Sequence, residues 1–322
     1  MPFRKDILKI DPAVVTVELV TNLRRDVRQT LRRSGAVVGI SGGVDSSVAL
    51  ALCVRAFGPK GVVGIMMPEY DSSRNSIVLA RKLADQFGVE TVVEDMTGAL
   101  VGFGCYARRD EAIKRVFPEY DPSYKAKITL PGDVMDSDAL NVFYLTIIAP
   151  EGKEQSKRLN LRDYLQIVAA SNFKQRSRMT MLYYHAELRN YAVIGTPNKN
   201  EHDQGFFVKW GDGGYDVAPI RHMFKTQVYQ LAEYLDVPSE ICQATPTTDT
   251  YSAHSSQEEF FFRLPFQVMD LLWYAQEHDV PASEAAQVMD LTEEQVLRVF
   301  ADLTRKHRTT QYLRTLPIDY SE

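Results

Sequence analysis

A doubly wound α/β domain, with a parallel sheet, a long excursion and a helical C-terminus, is the architecture this sequence predicts, and three observations predict it. Strand-length apolar runs alternate with helical patterns through the first hundred residues, and such alternation builds parallel sheets by right-handed crossovers. The first of these runs leads through consecutive glycines straight into a helical pattern. At 322 residues and 36.5 kDa the chain lies just above the usual limit for one hydrophobic core, which leaves room for elaborations.

The elements follow in chain order. Val14, Val17, Val20, Leu23, Val27 and Leu31 recur every three to four positions and predict an amphipathic helix over residues 14–31. Residues 36–40 read as a short buried strand, 41–45 as a loop, and 46–57 as a helix stopped by Gly58-Pro59. The unit repeats as a strand at 62–66, a helix over about 72–87 ended by Gly88, and a strand at 90–94. From 98 to about 163 the pattern weakens into aromatic, charged and Pro/Gly-containing text with one strand-like run at 141–149, and this segment reads as a lid-like insertion. The rhythm returns with a helix over about 172–189, a strand at 191–195, a glycine-rich loop through Gly214, a helix at 224–235 and two helices after Phe260. Residues 1–322 are thus expected to form one domain with an insertion at about 98–163.

Composition narrows the function classes. The chain is 45% hydrophobic and 25% charged, ordinary values that exclude disordered, collagen-like and coiled-coil chains. A net charge of -5, from 37 Lys+Arg against 42 Asp+Glu, provides no general field for nucleic acid, so phosphate binding must be local. Cys53, Cys105 and Cys242 are far apart and form no CxxC, which excludes a disulfide framework and a zinc knuckle and fits a reducing cytoplasm. The N-terminus lacks an apolar h-region and the longest apolar runs, AVVGI and VVGIMM, are strand length, so no secretion and no membrane span are expected.

The most informative segment is Gly39-Ile40-Ser41-Gly42-Gly43-Val44-Asp45-Ser46, set where a strand ends and a helix begins. Consecutive glycines let backbone N–H groups converge on an anion, and the helix adds its positive N-terminal end. A tight βα turn capped by Ser46 is the plain alternative. Five fixed residues in SGGxDS make chance about one in a million per starting position at average usage. The GK[ST] ending of a Walker A loop is missing. The segment resembles the SGGxDS loop of the ATP pyrophosphatase family, which implies that Gly39 to Ser46 cradle the phosphates of ATP, that attack falls at the α-phosphorus and that Asp45 holds Mg2+.

Five further motifs look like the ordered series of the NAD synthetase family: Phe173 to Met179 (FKQRSRM), Ile194 to Glu201 (IGTPNKNE), Gly205 to Gly214 (GFFVKWGDGG), Phe224 to Gln227 (FKTQ) and Pro246 to Asp249 (PTTD). Carried over position by position, the resemblance implies ATP contacts from Thr196, Lys225 and Thr247, a second Mg2+ carboxylate at Glu201, and contacts to deamido-NAD from Arg176, Lys209, Asp216 and, near the C-terminus, His307. The physical reading agrees. A phosphate loop without its own lysine needs a cation from elsewhere, which Lys225 can supply, and Arg176 and Lys209 suit the pyrophosphate of a dinucleotide. The plain readings are a solvated basic face for KQRSR, a turn of positive-φ glycines for GDGG and simple packing for Trp210.

The resemblance implies a Mg2+- and ATP-dependent amide ligase that converts deamido-NAD to NAD through an acyl-adenylate, releasing AMP and pyrophosphate. No glutaminase module is evident, so ammonia is expected free or from a separate glutaminase, with Asp212 the candidate to take a proton from ammonium. A homodimer is implied as well. Two departures stand out: Met66-Met-Pro-Glu-Tyr-Asp-Ser-Ser73 is closer to the glutamine-dependent form, and Lys306-His307-Arg308 replaces a His/Tyr-Lys-Arg trio. The rival readings are a relative amidating another carboxylate, a tRNA-modifying pyrophosphatase, against which the charge and missing cysteine pair argue, and a non-catalytic nucleotide-binding protein. The six histidines show no i,i+4 pair that would bind a metal.

Overall fold

Strands β1 (Ala36–Gly39), β2 (Val62–Met66), β3 (Glu90–Val93) and, late in the chain, β7 (Ala192–Ile194) form one parallel sheet in the order β3-β2-β1-β7. Ala36 lies opposite both Val62 and Ala192, and Val63 opposite Glu90. The computed structural model describes residues 2–130, 134–135, 143–247, 251–253 and 256–320, with Glu259 described in its backbone alone. Asn141, Val142, Asp249 and His254 lie outside the described residues.

Alternate residues of β1 point to opposite faces, as the two-residue period of a strand requires. On one face Val38 packs with Val48, Leu52, Leu83 and Leu231, from α2 (Val44–Phe57), α3 (Arg74–Phe87) and a later helix, and with Leu23 of α1 (Pro12–Arg25). On the other face Val37 packs with Leu182 and Ala186. The sheet is therefore covered on both sides, as expected of a doubly wound fold.

The first helix departs from its expected form. Asp11 caps it by accepting the Ala13 and Val14 N–H groups at 3.0 and 3.2 Å, and after Arg25 the chain continues as a π-helical turn over Asp26–Thr30. Leu19, Val20, Leu23 and Val27 are buried, whereas Val14 and Val17 face solvent. An every-third spacing drifts about 60° round a helix at each step, so stepping back from buried Val20 to Val17 and Val14 leaves the core face.

The excursion carries regular structure of its own, including strands beyond the one run expected at 141–149. It holds α4 (Thr97–Gly102), α5 (Cys105–Val116) and an antiparallel sheet of β4 (Lys125–Thr129), β5 (Tyr144–Ile148) and β6 (Glu154–Arg158), with Lys125 opposite Ile148 and Tyr144 opposite Arg158. Its own apolar core gathers Ile113, Phe117, Ile128, Leu145 and Ile147. A buried ion network fastens it to the main body: Lys174 bonds Glu69 at 3.1 Å and Asp71 at 2.7 Å, Arg109 of α5 also holds Asp71, and the Tyr106 hydroxyl donates to Glu69 at 2.7 Å. Along the outer side of β4 the Ala126 N–H donates to the Ser252 hydroxyl and the Ala253 N–H to the Ala126 carbonyl. In the parallel sheet Val217 bridges to Ile194, beside β7.

Helix α6 (Leu161–Arg189) starts well before residue 172, capped by Asn160, whose side chain accepts the Asp163 N–H. Its early turns bury Ile167 in the excursion core and its late turns Ala186 under the sheet, so no single apolar stripe marks its length. After α7 (Lys199–Gln204), α8 (Lys225–Tyr234) and α9 (Ser239–Gln243) come four helices rather than two: α10 (Phe266–Glu277), α11 (Ala282–Met289), α12 (Glu293–Thr309) and α13 (Gln311–Arg314). They enclose a second core of Phe262, Phe266, Leu272, Trp273, Val296 and Val299, joined by Phe224 at the start of α8. Cys53 and Cys105 are buried and unbridged, and Cys242 is half-buried. No described helix is long and apolar enough to cross a membrane.

Candidate active site

The loops that leave β1, β2 and β7 at their carboxyl ends wall a cleft of about 870 Å3, the position where doubly wound sheets bind ligands. Residues 39–46, Thr196, Glu201, Asp212, Lys225 and Thr247 all line it. Phe143 and Tyr164, stacked with ring centres 4.2 Å apart, bring the excursion and the early turns of α6 to its far wall.

The loop at 41–46 is shaped for an anion. Gly42 has φ +80°, and a Cβ there would lie 2.6 Å from the Ser76 carbonyl oxygen, so the position demands glycine. Gly43, not Ser46, is the N-cap of α2; the Ser46 and Ser47 hydroxyls instead donate to the Gly43 carbonyl at 3.0 and 2.8 Å. These bonds hold the loop while the first N–H groups of a 14-residue helix point at the cleft.

At the floor of this loop stands a charge cluster. Lys225, the first residue of α8 and fully buried, pairs its ammonium with Asp45, and Asn198 donates to the other Asp45 oxygen at 2.9 Å. Asn198 also caps α7, accepting the Glu201 N–H at 3.0 Å, while its own N–H donates to Glu201 at 3.2 Å. Gln257 donates to the remaining Glu201 oxygen at 3.1 Å. Burial and the nearby Asp45 carboxylate push the Glu201 carboxyl well above the usual range, against the pull of Lys225. A divalent cation between the two carboxylates would relieve that repulsion, and two carboxylates plus phosphate oxygens form a donor set that Mg2+ accepts. No cluster of three or more His, Cys, Asp or Glu side chains that could hold a metal occurs among the described residues, and an ion between Asp45 and Glu201 would complete its shell with phosphate oxygens or water.

Asp212 accepts the Val208 N–H at 2.7 Å. Surrounding protein raises its carboxyl, and three local backbone donors and Arg178 act the other way. Because the carboxylate opens on the water of the cleft, that water tempers the rise. The glycines of GDGG serve close packing instead of unusual backbone: Gly211 abuts Gln175, Gly213 abuts the Phe207 ring, and the positive φ belongs to Trp210, which is half exposed rather than packed.

The four side chains expected at the dinucleotide lie outside the lining of the cleft in this single chain. Arg176 is exposed and its Nε donates to the Lys209 carbonyl at 3.3 Å, whereas Arg178, two residues on, lines the cleft and donates to the Met67 carbonyl at 3.1 Å. Asp216 accepts the Val193 N–H at 2.9 Å and the Tyr183 hydroxyl at 3.0 Å. His307 is bonded to the Asp203 carbonyl at 2.9 Å. Lys209 donates to the Tyr312 and Thr315 carbonyls at 3.1 and 2.6 Å, pinning the C-terminal segment. Lys209→Ala is therefore expected to speed amide hydrogen exchange around residues 312–316; unchanged exchange would show that the segment is held by other contacts.

Asn198, Arg178 and Gln257 carry no role in the sequence reading. Asn198 left a signal in the Asn-x-x-Glu spacing of a capping box ahead of Glu201, and Arg178 stands in the same basic run as Arg176.

A glycine loop at the carboxyl edge of a parallel sheet, backed by a buried lysine and two carboxylates, defines an α/β nucleotide-binding protein of the adenine nucleotide α-hydrolase-like class. Within it, the NAD synthase family model matches residues 15–115 and 140–317, and the chain belongs to that family, as a ligase of NAD biosynthesis that uses ATP. Only 116–139, within the excursion, interrupts the match. The chain is 50% identical over 311 residues to an NH(3)-dependent NAD(+) synthetase of Mesorhizobium japonicum, covering 97% of each chain. It is 32% identical to one of Thermotoga maritima, covering 89% of this chain and 92% of that one. Among solved structures, an NH3-dependent NAD synthetase from Campylobacter jejuni aligns with a TM-score of 0.63 at 21% identity over 97% of this chain and all of the other, a likeness of fold.

Proposed function

We propose that the chain amidates the nicotinic acid carboxylate of deamido-NAD with ammonia at the expense of ATP, and that the Asp45–Lys225–Asn198–Glu201 cluster at the floor of the glycine loop is where the phosphates react. That cluster is the observation that carries the reading. The loop N–H groups and Lys225 bind the ATP phosphates, with Thr196 and Thr247 on the adjoining walls, so that the substrate carboxylate meets the α-phosphorus and pyrophosphate leaves. Asp45 and Glu201 would hold Mg2+, which supplies positive charge to the phosphate oxygens when bound. Ammonia then attacks the acyl carbon of the adenylate and AMP departs. Arg176, Lys209, Asp216 and His307 would meet deamido-NAD together with a second copy of the chain, in a homodimer.

Ammonium has no lone pair, so a base must accept a proton before attack, and Asp212 is placed in the cleft to do so. Arg178 and Glu201 are the charged groups facing it. Its raised carboxyl is charged only above its pKa, so turnover should fall as pH drops through that raised value and rise with pH as free ammonia grows. Asp212→Asn should lower kcat by about 100-fold and remove the acidic limb attributable to this group; a variant with unchanged kcat and profile would acquit Asp212.

Single-domain organisation with residues 98–163 as an added module, ammonia taken free or from a separate glutaminase, and residence in the reducing cytoplasm complete the proposal. The excursion's separate core and the three unbridged cysteines support it. The deciding assay is pyrophosphate release from ATP with deamido-NAD, with ammonium or glutamine as nitrogen source. Release with ammonium and little with glutamine is expected. No release on adding deamido-NAD would move the reading to a different carboxylate substrate.

A further inference from the structure

Behind the cluster a second buried chain of hydrogen bonds runs from the C-terminal helices to Lys225. Asp270 on α10, Asn200 on α7 and Lys225 on α8 are all fully buried. Asp270 uses both oxygens as acceptors: Oδ1 takes the Asn200 amide at 2.5 Å, and Oδ2 takes the Thr226 N–H at 2.9 Å. Asn200 in turn accepts the Lys225 N–H through Oδ1 at 2.9 Å. Two orphan N–H groups in the first turn of α8 are thus met from outside the helix, and the residue one of them belongs to is the lysine that faces Asp45. A carboxylate buried this deeply would be a liability if it did no more than fill space.

We propose that Asp270 is a positioning residue for the ligase reaction: through Asn200 it fixes the start of α8, and so the place of the Lys225 ammonium at the phosphate loop. The inference rests on the reading of Lys225 as the cation of the phosphate site. The direction of each bond matters, because the middle residue must donate to 270 and accept from 225. Asparagine at 270 retains one acceptor and places an NH2 where either the Asn200 NH2 or the Thr226 N–H already points. If Asn200 flips to accept from it, the Lys225 N–H faces an NH2 group. In the swap Asn200→Asp with Asp270→Asn, residue 270 again accepts from Thr226 and donates inward, and residue 200 accepts from both sides. Each of the three bonds of the chain again pairs a donor with an acceptor.

The test uses the full chain and follows pyrophosphate release with ammonium, ATP and deamido-NAD, with thermal unfolding measured alongside. Asp270→Asn should stay folded at the assay temperature and lower kcat by about 100-fold, the scale of a displaced catalytic group, with the KM for deamido-NAD nearly unchanged. The swap should restore kcat to within about tenfold of wild type, the non-additivity expected of residues in one network. A purely structural role predicts that the folded fraction of Asp270→Asn turns over normally, and that result would overturn the proposal. A swap that is unfolded, or folded but as slow as the single variant, would overturn it too, since its bonds are matched. Lys225→Met separates this proposal from the reading beneath it. Near-normal turnover of Lys225→Met would refute the role of Lys225 itself, whereas an inactive Lys225→Met beside a normal Asp270→Asn would refute only the positioning by Asp270.

Discussion

Asp45→Asn is expected to lower kcat by at least about 100-fold, equivalent to about 2.7 kcal/mol of transition-state stabilisation. The carboxylate neutralises a lysine with no exposed surface and supplies one of the two acidic groups available to a cation. An amide would leave the Lys225 ammonium buried beside a neutral partner, so the variant should also unfold a few degrees earlier. Removing one member of a buried pair costs about 3–5 kcal/mol, and less here because Asp45 is partly exposed and Glu201 stays close to Lys225. The pair Asp45→Asn and Lys225→Met should be strongly non-additive in kcat. Turnover of Asp45→Asn within a few-fold of wild type would reduce the residue to a fold-stabilising partner of Lys225.

Gly42→Ala is expected to have an effect of the same order for a different reason. A side chain at φ +80° costs about 1–2 kcal/mol in itself, and here the new methyl would also meet the Ser76 carbonyl, which as backbone cannot swing away. The loop must shift, the convergence of its N–H groups is lost, and kcat/KM for ATP should drop by about 100-fold. Gly98→Ala, where a Cβ meets nothing within 4 Å, is the control and should be nearly neutral. Equal behaviour of the two variants would mean that the loop does not grip phosphate through its backbone.

The phosphate loop was legible because its chemistry is contiguous: glycines, Asp45 and the following helix are neighbours in the chain, and their local conformation does not depend on distant packing. Lys225 and Glu201 were reached through the family resemblance, and Asn198 could have been reached from its spacing to Glu201. Asp270 and Gln257 could not, for each joins the cluster across more than fifty residues, Asp270 from an apolar helical run and Gln257 from a polar run ahead of Phe260. The basic run KQRSR illustrates another limit. Arg176 and Arg178 are equally plausible in one dimension, yet two residues turn a helix by about 200°, and only the rotation of α6 against the sheet decides that Arg178 reaches the cleft. Strands β4 and β6 of the excursion went unforeseen for a related reason. Glu154-Gln-Ser-Lys-Arg158 contains no apolar residue because both of its faces are largely wet, and the strand exists only through its pairing with β5.

That same strand bears on how the protein behaves in a crowded solution. A sheet edge offers unpaired N–H and C=O groups to any passing chain and can seed fibrous association. Each of the two sheets here is closed on one side by its own polypeptide, at Val217 beside β7 and at Ser252–Ala253 beside β4. On the other sides lie β3, which opens with Glu90, and β6, which carries Glu154, Lys157 and Arg158. An incoming strand would have to bury these charges against itself, and β6 carries both signs, negative at its start and positive at its end. The arrangement works against edge-to-edge association at high protein concentration without spending any residue of the cleft on it.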